Sequence, residues 1–148
     1  LMRLLGDLGL ATPRLDFATL RGYLKGYIDL VVEHEGRHFV VDWKSNHLGD
    51  RPADYGAAPM AAAMAAQGYH LQALIYAVAL DRLLALRLAG YDPATHFGGV
   101  LYLFVRGVRP AWTQPDGSPT GVHFERPSPQ ALARATALLC GQGETAAT

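Results

Sequence analysis

Residues 26–46 read GYIDLVVEHEGRHFVVDWKSN, and the fold turns on how this stretch is paired with itself. Two runs rich in β-branched and aromatic residues flank Glu35-Gly36, the pattern of a hairpin closed by a two-residue turn. That turn sets Ile28 opposite Trp43, Leu30 opposite Val41 and Val32 opposite Phe39. Every pair on this face is apolar, and a slip of one residue would mix the faces. A bulged turn with a left-handed Gly36 is an open alternative that shifts the pairing locally. On this reading Trp43 points into the core. The other face then carries Asp29 directly opposite Asp42, with Lys44 next along its strand and opposite Tyr27.

Working outward, strand candidates span 23–33 and 37–44, and a polar Gly/Pro-bearing loop follows at 45–58. From Pro59 to Leu88 the pattern is helical, Ala-rich at first and then apolar at Leu71, Leu74, Ile75, Val78, Leu83 and Leu86. Gly68 is placed to split this run in two, and Gly90 with Pro93 closes it. Gly98–Arg106 is apolar on both faces, as a buried central strand requires. A loop at 107–120, a short strand at 121–125 and a helix at 129–140 capped by Ser128 complete the order. The expected fold is α/β with a central mixed sheet flanked by helices. One domain is expected over 1–148, with 1–20 as lead-in and 21–148 as core and terminal helix.

The chain has 148 residues, half of them apolar, enough for a single core of ordinary size. Its 13 basic and 13 acidic residues cancel, so phosphate neutralisation by this surface alone would be weak. The longest apolar stretches are broken by Gln67, His70, Gln72, Asp81 and Arg82, which argues against a membrane span. The N-terminus lacks the features of a secretory signal, and Cys140 alone offers no internal disulfide; a cytoplasmic location is expected. The sequence opens Leu1-Met2-Arg3, and the expectation is a piece of a larger protein, truncated on its N-terminal side.

Like charges directly opposite on a sheet cost stability, so the Asp29–Asp42 pair calls for a reason. Two nearby carboxylates can hold a hard divalent cation through oxygen, with Lys44 stabilising charge that develops on a phosphate. A solvated polar face with the aspartates pointing apart is equally open from spacing alone.

Gly26-Tyr27-Ile28-Asp29 followed by Asp42-Trp43-Lys44 resembles the PD-(D/E)XK nuclease pattern. Gln72 and Tyr76 match the Gln-x-x-x-Tyr motif of its RecB-type branch, and a spacing of four puts both on one helix face. The stretches LDFATLRGYLKGYIDLVVEHEGRHFVVDWKSNHLG (15–49), YHLQALIYAVAL (69–80) and HFGGVLYLFVRGV (96–108) are similar to the C-terminal nuclease domain of RecB subunits of bacterial RecBCD, exodeoxyribonuclease V.

The resemblance implies a restriction-endonuclease-like core and a Mg2+-dependent phosphodiesterase, with Mn2+ as a substitute. It would act on single- and double-stranded DNA in double-strand break repair and recombination, beside RecC and RecD subunits. By carry-over, Asp29 and Asp42 are metal ligands, Lys44 is the catalytic lysine, and Gln72 and Tyr76 support it. The family's histidine ligand and a further acidic residue lie well upstream of the first aspartate. Only 28 residues precede Asp29, so the metal shell is expected to be incomplete and one flank of the sheet uncovered.

None of the six histidines stands at the family position: His34 and His38 read as exposed around the turn, His47 follows Asp-x-Lys, His70 precedes Gln72, and His96 and His123 flank strands. Arg106 and Arg109 read as a solvated loop end. An alternative function is a non-catalytic docking module for the recombinase RecA or for partner subunits, inactive as an isolated fragment. A Cas4-like nuclease is excluded by the single cysteine, which cannot build an iron–sulfur cluster.

Overall fold

A computed structural model of the chain describes residues 26–140. The lead-in at 1–20 and the opening of the first strand candidate lie outside the described residues. Strand β1 (Leu30–His34) runs antiparallel to β2 (Arg37–Lys44), with Leu30 on Val41, Val32 on Phe39 and His34 on Arg37. Glu35 and Gly36 both have positive φ, 51° and 73°, the mirror-image turn whose twist suits a two-residue hairpin. No bulge interrupts this ladder, so the simple turn is the one adopted. The first strand is shorter than expected, because residues 26–29 leave the ladder.

β2 pairs in parallel with β3 (Phe97–Phe104), and β3 pairs antiparallel with β4 (Val122–Glu125), giving the order β1-β2-β3-β4. A parallel neighbour demands a long crossover, and the helices supply it. After a 3-10 turn at Pro52–Tyr55 come α1 (Ala57–Ala66), α2 (Tyr69–Arg87) and a single turn, α3 (Pro93–His96). Gly68 at φ 68° takes the left-handed conformation between α1 and α2, which is why the run splits there. Asp92 caps α3 by accepting from the Ala94 amide. The terminal helix α4 (Pro129–Cys140) is capped by Ser128, whose Oγ accepts from the Ala131 amide at 3.2 Å.

Helix α2 lies on the face of the sheet that carries Val40, Asp42 and Lys44, in register with Val100, Tyr102 and Phe104. Ala73 and Ala77 are buried on it beside Leu74, Leu80 and Leu84, and small residues let helix and sheet approach closely. Leu83 and Leu86, read from spacing as part of the apolar stripe, are instead exposed. Ala131, Leu132 and Ala135 pack α4 against α2.

Trp43 is the main departure from the sequence reading: it does not enter the core but lies 49% exposed on the opposite face. Alternation shows which residues share a face, not which face the helices cover. Here they cover the face bearing the aspartate and the lysine. On the other, Leu30, Trp43 and Phe124 remain exposed. His34 is exposed as expected, whereas His38 is half-buried with its Nδ1 inaccessible. Gly99, at φ 135°, is required by crowding, since a Cβ there would fall 2.5 Å from the Phe124 ring and 2.7 Å from the Glu125 carbonyl.

Candidate active site

β2 delivers Asp42 and Lys44 to the helix-covered face because strand residues two apart share a side. Asp42 is only 3% exposed, and the Lys44 ammonium stands 2.6 Å from its Oδ2. That oxygen accepts no aligned hydrogen bond, so the contact is ionic and leaves lone pairs free for another electropositive group.

From above, α2 lowers Gln72 and Tyr76 onto the pair. Lys44 Nζ donates to Gln72 Oε1 at 2.8 Å, Gln72 Nε2 donates to the Tyr76 hydroxyl at 3.0 Å, and that hydroxyl donates to the Tyr27 carbonyl at 2.6 Å. The chain of bonds therefore ties the helix, the lysine and the segment just before β1 into one unit. Asp29, beyond the last ladder pair, turns its Oδ2 to accept the Trp43 amide at 3.0 Å. It thus sits beside the backbone between Asp42 and Lys44. The structure brings all five residues singled out from sequence into one neighbourhood.

Two further residues belong here that were not singled out from sequence as site residues. Tyr102, cross-strand partner of Asp42, donates towards Gln72 Oε1 and the Tyr69 carbonyl, each at 3.2 Å. The Tyr69 ring lies 4.0 Å beneath the Lys44 ammonium and stacks on Tyr102 at 5.9 Å. A cation over an aromatic face gains electrostatic attraction when partly desolvated. The parallel β2–β3 register puts Tyr102 on the face of Asp42, a pairing that neither strand's sequence shows by itself. Among the other candidates, His47 pairs with Asp50 at the loop surface, Arg106 donates to the Ser45 carbonyl, and Arg109 stacks over Trp112.

Burial and then the charge of Asp42 push the Tyr102 phenol well above its ordinary value. Burial raises Tyr76, opposed by the Gln72 hydrogen bond and aided by Asp42 and Asp29. Burial and the bond to Asp81 raise Tyr91. Each group binds its proton more tightly folded than unfolded, so its stabilisation is complete below the unfolded value and is lost as pH climbs towards the folded one. The melting temperature should therefore hold through neutral pH and fall once pH passes the ordinary tyrosine value of 10.0. Thermal melts across that range, with phenolate absorbance as the monitor, check this. Free titration of these tyrosines before unfolding would refute it.

The family profile of the PD-(D/E)XK nuclease superfamily matches residues 7–145. RecBCD enzyme subunit RecB of Escherichia coli (strain K12) is 43% identical over 141 residues, 95% of this chain and 12% of that protein. The subunit of the same name from Mycolicibacterium smegmatis is 47% identical over 136 residues, 88% of this chain and 13% of the relative. That of Mycobacterium tuberculosis (strain H37Rv) is 51% identical over 126 residues, 84% of this chain and 11% of the relative. The chain spans about an eighth of the length of these relatives. A profile covering nearly the whole sequence, together with a mixed four-stranded sheet under helices, places the chain in the PD-(D/E)XK nuclease superfamily.

Proposed function

We propose that this chain is the nuclease module of a RecB-type subunit, hydrolysing phosphodiester bonds of DNA with Asp29, Asp42 and Lys44 as its working residues. One observation carries the reading: a buried carboxylate and an ammonium 2.6 Å apart, the ammonium also anchored at 2.8 Å by the motif glutamine. A fold gains little from such a pair, since apolar residues of similar volume often stabilise as well or better. Chemistry on a phosphate gives it a purpose.

Asp29 and Asp42 are the residues that would hold a divalent cation, Mg2+ by preference for hard oxygen donors and Mn2+ as a substitute. The Oδ2 of Asp42, buried and in contact with the Lys44 ammonium but without an aligned hydrogen bond, keeps lone-pair capacity that fits that role. When bound, the cation supplies charge neutralisation on a phosphate oxygen and an acidified water. The chain's residues do the rest. Lys44 presents a fixed proton donor to negative charge as it develops on the phosphate, at no reorganisation cost. Gln72 and Tyr102 restrict the ammonium to one position, and Tyr76 ties helix α2, which carries Gln72, to the Tyr27 backbone beside Asp29.

Single- and double-stranded DNA are the substrates in this reading, and the cancelled charges of the chain imply that neighbouring surfaces deliver the strand. RecC and RecD subunits would supply them, in the bacterial cytoplasm. Among the described residues no helix is long and apolar enough to cross a membrane. The exposed Leu30, Trp43 and Phe124 favour, as a second reading, a module that docks on partner subunits or RecA without cutting.

Calorimetric titration of Mg2+ and Mn2+ into the chain and its Asp29→Ala variant, paired with a single-stranded DNA cleavage assay, separates the two. Asp29 is exposed, so its removal leaves the core intact. Metal binding and EDTA-sensitive cleavage that both fall in the variant support the nuclease reading. A folded wild-type chain that neither binds metal nor cuts supports docking.

A further inference from the structure

We propose a second metal site, chemically distinct from the aspartate pair, in which His70, His123 and Glu125 bind a borderline-soft transition ion such as Zn2+. His123 and Glu125 stand two apart on β4 and so share the helix-covered face, while α2 lowers His70 onto them from two residues before Gln72. The ligand atoms of the three side chains lie within 4.8 Å of one another. Glu125 Oε1 receives His70 Nδ1 at 2.5 Å and His123 Nε2 at 2.9 Å, so two imidazole nitrogens converge on a single carboxylate oxygen.

A histidine–glutamate bond that served only to satisfy a buried ring would need one imidazole. Here three titratable side chains converge where they are largely withdrawn from water: His70 is 7% exposed, and the side chains of His123 and Glu125 are 18% and 14% exposed. Clustering polar groups out of water is costly unless each finds strong partners. A cation at their focus satisfies all three together. Zinc ligands at about 2.0–2.2 Å from the metal lie roughly 3.3–3.5 Å apart in a tetrahedron, so the two short contacts need open by less than about 1 Å.

Two nitrogens and one carboxylate oxygen, with the fourth position left to water, suit zinc rather than magnesium. The site also stands apart from the aspartates. Asp42, Tyr102 and His123 form one row across three strands, so the centres are separated by two strand spacings, roughly 9–10 Å. An ion here would clamp β4, the last strand of the sheet, to the helix that carries Gln72 and Tyr76.

The test is Zn2+ titration of the 148-residue chain in excess Mg2+, which occupies oxygen-only sites, with Co2+ as a spectroscopic substitute. One equivalent of Zn2+ should bind, the Co2+ form should show the visible absorption of a tetrahedral complex, and the melting temperature should rise by on the order of 10 °C at a hundredfold excess over Kd. His123→Ala and Glu125→Gln, on the partly exposed strand, should each weaken Zn2+ binding by at least about 100-fold, whereas Asp29→Ala leaves it unchanged. A folded wild-type chain that binds no Zn2+ in excess Mg2+ overturns the site. So does Zn2+ binding that survives both β4 substitutions or disappears with Asp29→Ala.

Discussion

Lys44→Ala should lower single-stranded DNA cleavage by at least about 100-fold while metal and DNA binding stay close to wild type. The expectation rests on the role of a preorganised donor aimed at developing charge, whose loss elsewhere costs about 100- to 1000-fold in turnover. Lys44 is held from three sides, by Asp42 at 2.6 Å, by Gln72 at 2.8 Å and by the Tyr69 ring at 4.0 Å. Such fixing has value only if the position of the charge matters. Lys44→Arg should rescue little, because a planar fork cannot occupy the space of a compact ammonium between those partners. Gln72→Ala should cost less, about tenfold, since it frees the lysine without removing it. The effects should appear in kcat and leave substrate affinity nearly unchanged. A Lys44→Ala protein that cuts within tenfold of wild type removes Lys44 from the chemistry.

The hairpin was legible because its pairing follows from local rules: Glu35-Gly36 dictates the turn, and alternation fixes the partners from Leu30 to His34. The same rules bring Asp42 and Lys44 to one side, and helical spacing aligns Gln72 with Tyr76. What local rules lack is knowledge of what packs on a sheet. Val31 and Val40 are as apolar as Leu30 and Val41, so the composition of the hairpin does not say which face the helices cover, and Trp43 was assigned to the wrong one. The roles of Tyr69 and Tyr102 were hidden for a related reason. Tyr102 reads as a residue of a buried strand, Tyr69 only as the start of a helical stretch, and the crossover alone sets α2 above β3. His70 and His123 are further apart still in sequence, and the meeting of α2 with β4 could not be inferred from either segment.

Removing Asp42 tests whether the buried pair serves the fold or the reaction. Asp42→Ala leaves the Lys44 ammonium, 11% exposed, without its counter-ion, and breaking one partner of a buried pair costs about 3–5 kcal/mol. Urea unfolding should therefore show a midpoint well below wild type with an unchanged slope. Adding Lys44→Met in the same chain removes the stranded charge while keeping much of the lysine's length and volume. The double variant should recover most of the lost stability, and the double-mutant cycle should return a coupling of roughly 1–3 kcal/mol. Cleavage should not return, because neither the carboxylate nor the donor is present. This dissociation is the informative outcome. A sequence free to replace the pair by apolar residues at little cost in stability, but not without loss of cutting, keeps Asp42 and Lys44 for chemistry. If the double variant is as unstable as the two single losses added together, the residues act on the fold independently and the pair has no shared purpose.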